Sequence, residues 1–171
     1  MTREESIDFY KKHAKRLYNI SLRIVQDSAQ AEEIMQDTIL KYLTLSPLPG
    51  FGAASESAWL ARTCIRASID ALRKRKRELH FLDEYASEEA PEYFAPAEGT
   101  DEREETASAP FDIAVIRKAI DSLNDPYRLV LNLILLDGLD YEEISSITGE
   151  REGTVRTQYS RARKMLKEIL I

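Results

Sequence analysis

The sequence predicts an all-α fold: two small helical domains joined by a flexible acidic linker, the C-terminal one a helix-turn-helix domain. Three observations carry this. Residues recur at spacings of three and four, most of them apolar, through residues 7–24, 31–42 and 155–169, the spacing of a single helix face. Residues 86–110 mix prolines, small residues and acids with almost no apolar periodicity, the composition of a tether rather than a core. The stretch Asp140–Leu170, DYEEISSITGEREGTVRTQYSRARKMLKEIL, reads as two helices joined by a tight turn.

The N-terminal part reads as three helices. In the first, Ile7, Tyr10, Ala14, Leu17, Ser21 and Ile24 form one packing stripe. Asp27 and Ser28 can cap the second, which ends before Pro47 and buries Ala31, Ile34, Thr38 and Tyr42. Its outer face carries Glu32, Glu33, Gln36 and Asp37. SPLPGFGAASE, with two prolines and two glycines, is a loop. A third helix starts near Ser57 and continues through WLARTCIRASIDALRKRKREL, with Arg62 and Arg66 one and two turns after Trp59. It closes on five consecutive bases, Arg73–Arg77, which repel one another unless a polyanion lies nearby. A lone tryptophan is usually core. One on a basic helix behind a loop also suits stacking on unpaired bases while arginines neutralise phosphates.

In the C-terminal part, Asp125 is read as a cap with Pro126 in the first helical turn. Asp140 with Glu143 makes a capping box, so a helix starts at Tyr141. Gly149 is the left-handed stop. The next helix starts near Gly153–Thr154. At 100° per residue, Val155, Tyr159, Ala162, Leu166 and Ile169 fall on one buried side, while Arg156, Thr157, Ser160, Arg161, Lys164 and Lys167 face outward. A turn, a cap and an exclusively positive outer face together point to a helix offered to the DNA major groove.

Composition bounds the alternatives. The net charge of −6 is the wrong sign for a nucleic-acid binder until it is divided along the chain. Residues 78–112 hold twelve acids and one arginine, a net of −11, leaving the rest with 18 acids and 23 bases, a net of +5. The acidic strap tethers; shielding of a basic groove in the absence of DNA is a second reading. The single cysteine excludes a disulfide framework and a cysteine-rich zinc site. Cys64 reads as a small buried residue, and His13 and His80 match no metal-ligand spacing. No stretch approaches the ~20 apolar residues of a membrane span, and the N-terminus lacks an apolar signal core. The expectation is a cytoplasmic protein without membrane insertion, metal, cofactor or catalytic residues, and not an enzyme.

AEEIMQDTILKYL at 31–43, WLARTCIRASIDALRKRKR at 59–77 and LNDPYRLVLNLILLDGLDYEEISSITGEREGTVRTQYSRAR at 123–163 occur in this order with a linker between. The chain thereby resembles the extracytoplasmic-function (ECF) sigma factors, small bacterial sigma factors that keep two of the family's domains. The segments and the first helix cover a little over half of the sequence. The resemblance implies a division into residues 1–80 (core polymerase docking, −10 recognition and melting), an acidic linker at 81–110, and residues 111–171 (−35 recognition). Glu32, Glu33, Gln36, Asp37 and Leu40 match the surface that docks on core RNA polymerase. Trp59, Arg62, Arg66, Asp70 and Arg73 lie on the helix whose family counterpart faces the unwound −10 element. The loop Pro49–Ser57 matches one that captures a flipped base, at a cost of a few kcal/mol that docking must offset. Arg156, Thr157, Ser160 and Arg161, with Thr154 and Lys164, match the helix that enters the −35 major groove.

Three departures stand out. Asparagine is usual where Arg66 stands, so the −10 preference is expected to differ. Arg151 replaces the serine that commonly caps the recognition helix, removing an acceptor worth about 1 kcal/mol. Gln158 replaces a frequent arginine on the flank of the wheel, where a phosphate contact is expected to be lost. The implied partners are core RNA polymerase, promoter DNA and an anti-sigma factor, with the chain a monomer within the holoenzyme. The alternative is a helix-turn-helix regulator of response-regulator output type, which would bind duplex DNA as a dimer. A helical adaptor that binds only protein would leave both basic faces without a use.

Overall fold

A computed structural model describes residues 1–45, 53–85 and 112–171, and all its regular elements are helices. The acidic segment beyond Tyr85 and residues 46–52 of the expected loop lie outside the described residues. The chain divides into two units, 1–98 and 99–171.

In the first unit α1 (Arg3–Val25), α2 (Ser28–Leu45) and α3 (Ala53–Tyr85) pack on one another. A capping box starts α1: Glu5 N–H donates to Thr2 Oγ1 at 3.2 Å and Thr2 N–H to Glu5 Oε2 at 2.7 Å. Gln26, left-handed at φ 54°, ends it. One residue later Asp27 accepts the N–H of Gln30 and opens α2, as the sequence predicts. The core is built from Leu17, Ile20, Ile24, Val25, Ala31, Ile39, Leu60, Ile65 and Ile69. Cys64 is fully buried, its thiol 3.3 Å from the Leu17 carbonyl.

The α1 stripe differs from expectation in its first half. Ile7 and Tyr10 are 44% and 40% exposed, and Phe9 and His13 are buried in their place. The reason is aromatic. Phe9 stacks on Tyr42 with centroids 4.8 Å apart and touches the His13 ring at 4.6 Å, burying more surface than Ile7 would. A buried histidine is tolerated because its Nε2 meets Glu56 Oε1 at 3.0 Å.

Helix α3 is longer than the sequence suggests at both ends. It begins at Ala53, so residues 53–57 of the expected loop are helical, with Glu56 in the first turn. It also runs through residues 81–85, which the sequence assigns to the linker. No glycine or proline occurs between Gly52 and Pro91, so nothing local stops it.

The second unit contains α4 (Ile113–Asp121), α5 (Asp125–Leu131), α6 (Tyr141–Thr148) and α7 (Glu152–Leu170). Asn124, not Asp125, is the N-cap of α5. Asp125 is occupied as an ion-pair partner of the buried Arg128, whose guanidinium also donates to the Leu123 carbonyl at 3.3 Å. Helix α5 passes into a π-helical turn, Asn132–Leu136, closed by Asp137 N–H donating to the Asn132 carbonyl at 3.1 Å. Leu133 is buried and Leu135 exposed across this turn. Gly138, at φ 70°, then redirects the chain toward α6. Leu131, Leu133, Ile144, Val155 and Ala162 are at the core of this unit.

Candidate functional site

The helix-turn-helix is built from short-range bonds. Glu143 N–H donates to Asp140 Oδ1 at 2.8 Å and Asp140 N–H to Glu143 Oε2 at 3.0 Å, the box predicted from sequence. Gly149 is left-handed at φ 76°, and its N–H closes α6 on the Ser145 carbonyl at 2.9 Å. The turn is tied by Ser145 Oγ donating to the Glu150 carbonyl at 2.6 Å. Helix α7 starts at Glu152, a residue or two before the sequence places it, with Arg151 as an N-cap that makes no side-chain cap. The Asp140→Ala variant should lose the box, lowering the stability of this unit by about 1 kcal/mol in urea unfolding.

On α7, Val155 and Ala162 are buried and Tyr159 and Leu166 half-buried, but Ile169 is 50% exposed, so the inner stripe ends a turn early. Thr154, Arg156, Thr157, Ser160, Arg161, Lys164 and Lys167 are all exposed, and Gln158 lies between the two faces. The structure thus gathers the seven outward residues on one polar and positive surface. Two carry constraints that sequence could not reveal. Thr157 Oγ1 donates to the Gly153 carbonyl at 3.0 Å, so its hydroxyl hydrogen is used and its lone pairs remain to accept. Arg156 is paired with Glu152 at 3.1 Å and lies over the Tyr141 ring, 5.3 Å from its centroid.

In the first unit, Glu32, Glu33, Gln36, Asp37 and Leu40 are exposed together on α2. Leu40 is 60% exposed, an apolar residue in an acidic surround. Gln36 Nε2 donates to Glu32 Oε1 at 3.3 Å. Nothing in this patch adds to the core, since Ala31, Ile34, Met35, Thr38, Ile39 and Tyr42 face inward.

On α3, Arg62, Arg66, Asp70 and Arg73 are exposed at spacings of four, four and three, so they share one stripe. Trp59 heads that stripe but is half-buried, its ring meeting that of Tyr42 edge-on with centroids 5.7 Å apart. It is therefore part of the aromatic core as well as of the basic face. The Arg73–Arg77 cluster is not uniform. Arg75 turns inward and donates to the Val25 carbonyl at 2.8 Å, satisfying the C-terminus of α1, where a cation is favoured. The repulsion expected of five adjacent bases is thus relieved partly within the fold. The remaining feature that sequence reasoning passed over is Glu56, which gathers His13, Tyr42 and Lys12. Its only local signal is an acid at the head of a basic helix.

Among the described residues, no group of three or more His, Cys, Asp or Glu could hold a metal ion, and no helix is long and apolar enough to cross a membrane.

Comparisons with known proteins match both units. Residues 9–78 match the family model for Sigma-70 region 2, and residues 113–166 that for Sigma-70 region 4. The ECF RNA polymerase sigma factor SigE of Mycolicibacterium smegmatis is 27% identical over 165 residues, 95% of this chain, which spans 60% of that protein. The ECF sigma factor SigW of Bacillus subtilis is 28% identical over 167 residues, 96% of this chain and 86% of that one. A solved structure of the sigma factor RpoE with the anti-sigma factor NepR, from Bartonella quintana, superposes with a TM-score of 0.59 at 25% identity. It covers 94% of this chain and 93% of that one.

Proposed function

We propose that this chain, which belongs to the extracytoplasmic-function group of RNA polymerase sigma factors, acts as a promoter-specificity subunit whose two units divide the labour. The acidic face of α2 docks on core polymerase through Glu32, Glu33, Gln36, Asp37 and Leu40. The stripe of α3 from Trp59 to Arg73 holds the opened −10 strand, with arginines on phosphates and the tryptophan edge available to a base. Helix α7 reads the −35 duplex. The observation that carries this reading is the exposed set Arg156, Thr157, Ser160 and Arg161 on the second helix of a capped helix-turn-helix, opposite the buried Val155 and Ala162.

The protein has no chemistry of its own on this reading. It needs no cofactor, works in the cytoplasm where the polymerase is, and is a monomer within the holoenzyme. An anti-sigma protein is a further proposed partner, supported by the neighbour solved with one. The division into residues 1–80, an 81–110 tether and 111–171 fits the two regions matched, with the first unit's last helix reaching Tyr85. A dimeric helix-turn-helix regulator is disfavoured, because it gives no account of a region 2 match in the other unit.

Run-off transcription with core polymerase on fragmented genomic DNA tests the proposal and yields the promoter sequence together. Arg161→Ala should then lower −35-dependent transcription roughly tenfold, the value of one good base contact, while co-purification with core polymerase stays unchanged. A loss of polymerase binding instead would mean that α7 has been given the wrong partner.

A further inference from the structure

Arg156 is the one proposed base reader whose side chain is held on two sides before DNA arrives. Its guanidinium face lies over Tyr141, 5.3 Å from the ring centroid. Its Nη2 donates to Glu152 Oε1 at 3.1 Å, four residues back on the same helix. Tyr141 is itself braced, its ring meeting that of Tyr159 edge-on with centroids 6.0 Å apart, and Arg163 Cζ lies over the Tyr159 ring, 5.6 Å from its centroid. A ladder of rings and cations therefore runs from Arg163 and Tyr159 on the second helix of the motif across Tyr141 on the first and back to Arg156 on the second.

Each contact is weak alone. An exposed ion pair contributes under about 1 kcal/mol, and a cation over an exposed aromatic face about 0.5–1 kcal/mol. Their geometry matters more than their sum. The Tyr141 ring covers the guanidinium on one side and Glu152 takes an N–H of Nη2, so the remaining N–H groups are the ones left for a base. An arginine free to rotate would reach phosphates and bases alike, and phosphate contacts carry no sequence information. Glu152 adds a second bias. It is a half-exposed negative charge in the first turn of the helix that enters the groove, where it opposes the phosphates and offsets the charge of Arg156 during non-specific contact.

We infer that Tyr141 and Glu152 are specificity-determining residues: they orient Arg156 toward one base edge and penalise its use as a phosphate contact. The inference rests on the reading of α7 as the −35 reader and deepens it. Neither residue need touch a base; both act as positioning residues through Arg156.

The test uses full-length protein assembled with core polymerase, and duplexes in which each −35 base pair is varied in turn. Arg156→Ala is the control that identifies the base pair concerned. Glu152→Gln should raise affinity for a scrambled −35 duplex about three- to tenfold. It should also steepen the dependence of log K on log salt by up to about one unit, as one more cation becomes effective. Tyr141→Leu should cut discrimination about threefold or more at the same base pair, and Tyr141→Phe, which keeps the ring face, should restore it. If Tyr141→Leu weakens all duplexes equally, or Glu152→Gln leaves both scrambled affinity and salt dependence as they were, the inference is wrong. If Arg156→Ala itself changes no base preference, the fault lies instead with the reading of α7.

Discussion

The double variant Glu33→Lys, Asp37→Lys should keep its fold and lose assembly with core polymerase by at least about 100-fold. Both side chains are exposed on α2, and lysine and glutamate have similar helix propensities, so the helix itself has little reason to change. Glu33 lines a shallow groove with Lys74 and Arg75, and reversing its charge there costs at most what a surface pair contributes, about 1 kcal/mol. At a docked interface the same reversals act differently. Two attractions become two repulsions, and close charge pairs across interfaces couple by about 1.5–7 kcal/mol. The predicted loss follows from the low end of that range for both sites together. Circular dichroism and urea unfolding should match the parent, while co-elution with core polymerase disappears. Leu40→Ala separates the apolar from the charged share: it removes the exposed anchor without touching charge, and its effect should persist in high salt, whereas that of the reversals should diminish. Assembly that survives the double reversal would move the docking surface elsewhere.

Legibility followed the range of the determining interaction. The capping box at Asp140 and Glu143, the left-handed Gly149 and the outward set of α7 depend on neighbours within five residues, and the structure has them as the sequence suggests. The buried set of α2 was equally legible, because Ala31, Ile34, Thr38 and Tyr42 alternate cleanly with acids. The α1 stripe was misplaced where Phe9 and His13 take their burial from Tyr42 and Glu56, more than thirty residues away in sequence. The π-helical turn at Asn132–Leu136 was invisible because it sits in LVLNLILL, a nearly continuous apolar run in which no periodicity can be seen. Arg75 reads from sequence as one of five mutually repelling bases, since nothing local says that its side chain reaches back to Val25. Arg156 was placed on the correct face, but the ring and carboxylate that orient it come partly from the preceding helix.

Glu56→Ala should destabilise the N-terminal unit by about 2–4 kcal/mol. The carboxylate accepts the Tyr42 hydroxyl on Oε2 at 2.9 Å and His13 Nε2 on Oε1 at 3.0 Å, with Lys12 Nζ at 3.8 Å. His13 and Tyr42 are 5% and 7% exposed, so each would be left with a buried polar group lacking this acceptor, at about 1–3 kcal/mol apiece. An acid would also be lost from the first turn of α3, where the helix dipole favours it. Glu56→Gln, which keeps one acceptor oxygen, should cost less than the alanine variant. The alkaline limb gives a separate check. Burial, and then the hydrogen bond and charge of Glu56, hold the Tyr42 hydroxyl above its ordinary value of 10.0. Because the folded state raises that value, the contribution is complete below about pH 10 and is lost as pH rises through the folded value. The alanine variant retains the burial but not the carboxylate, so its stability should fall less steeply above pH 10 than that of the parent. The effect on function follows from position. Glu56 and Ser57, the latter bonded by Arg16, fix the first turn of α3 against α1 and α2, and that turn sets the course of the stripe carrying Trp59, Arg62 and Arg66. At temperatures where the variant is folded, core assembly should survive, since the proposed docking residues lie on the side of α2 away from Tyr42. Permanganate reactivity of unpaired thymines at −10 should drop severalfold. A variant with parental stability would show that solvent already satisfies His13 and Tyr42, and that α3 is held by its apolar contacts alone.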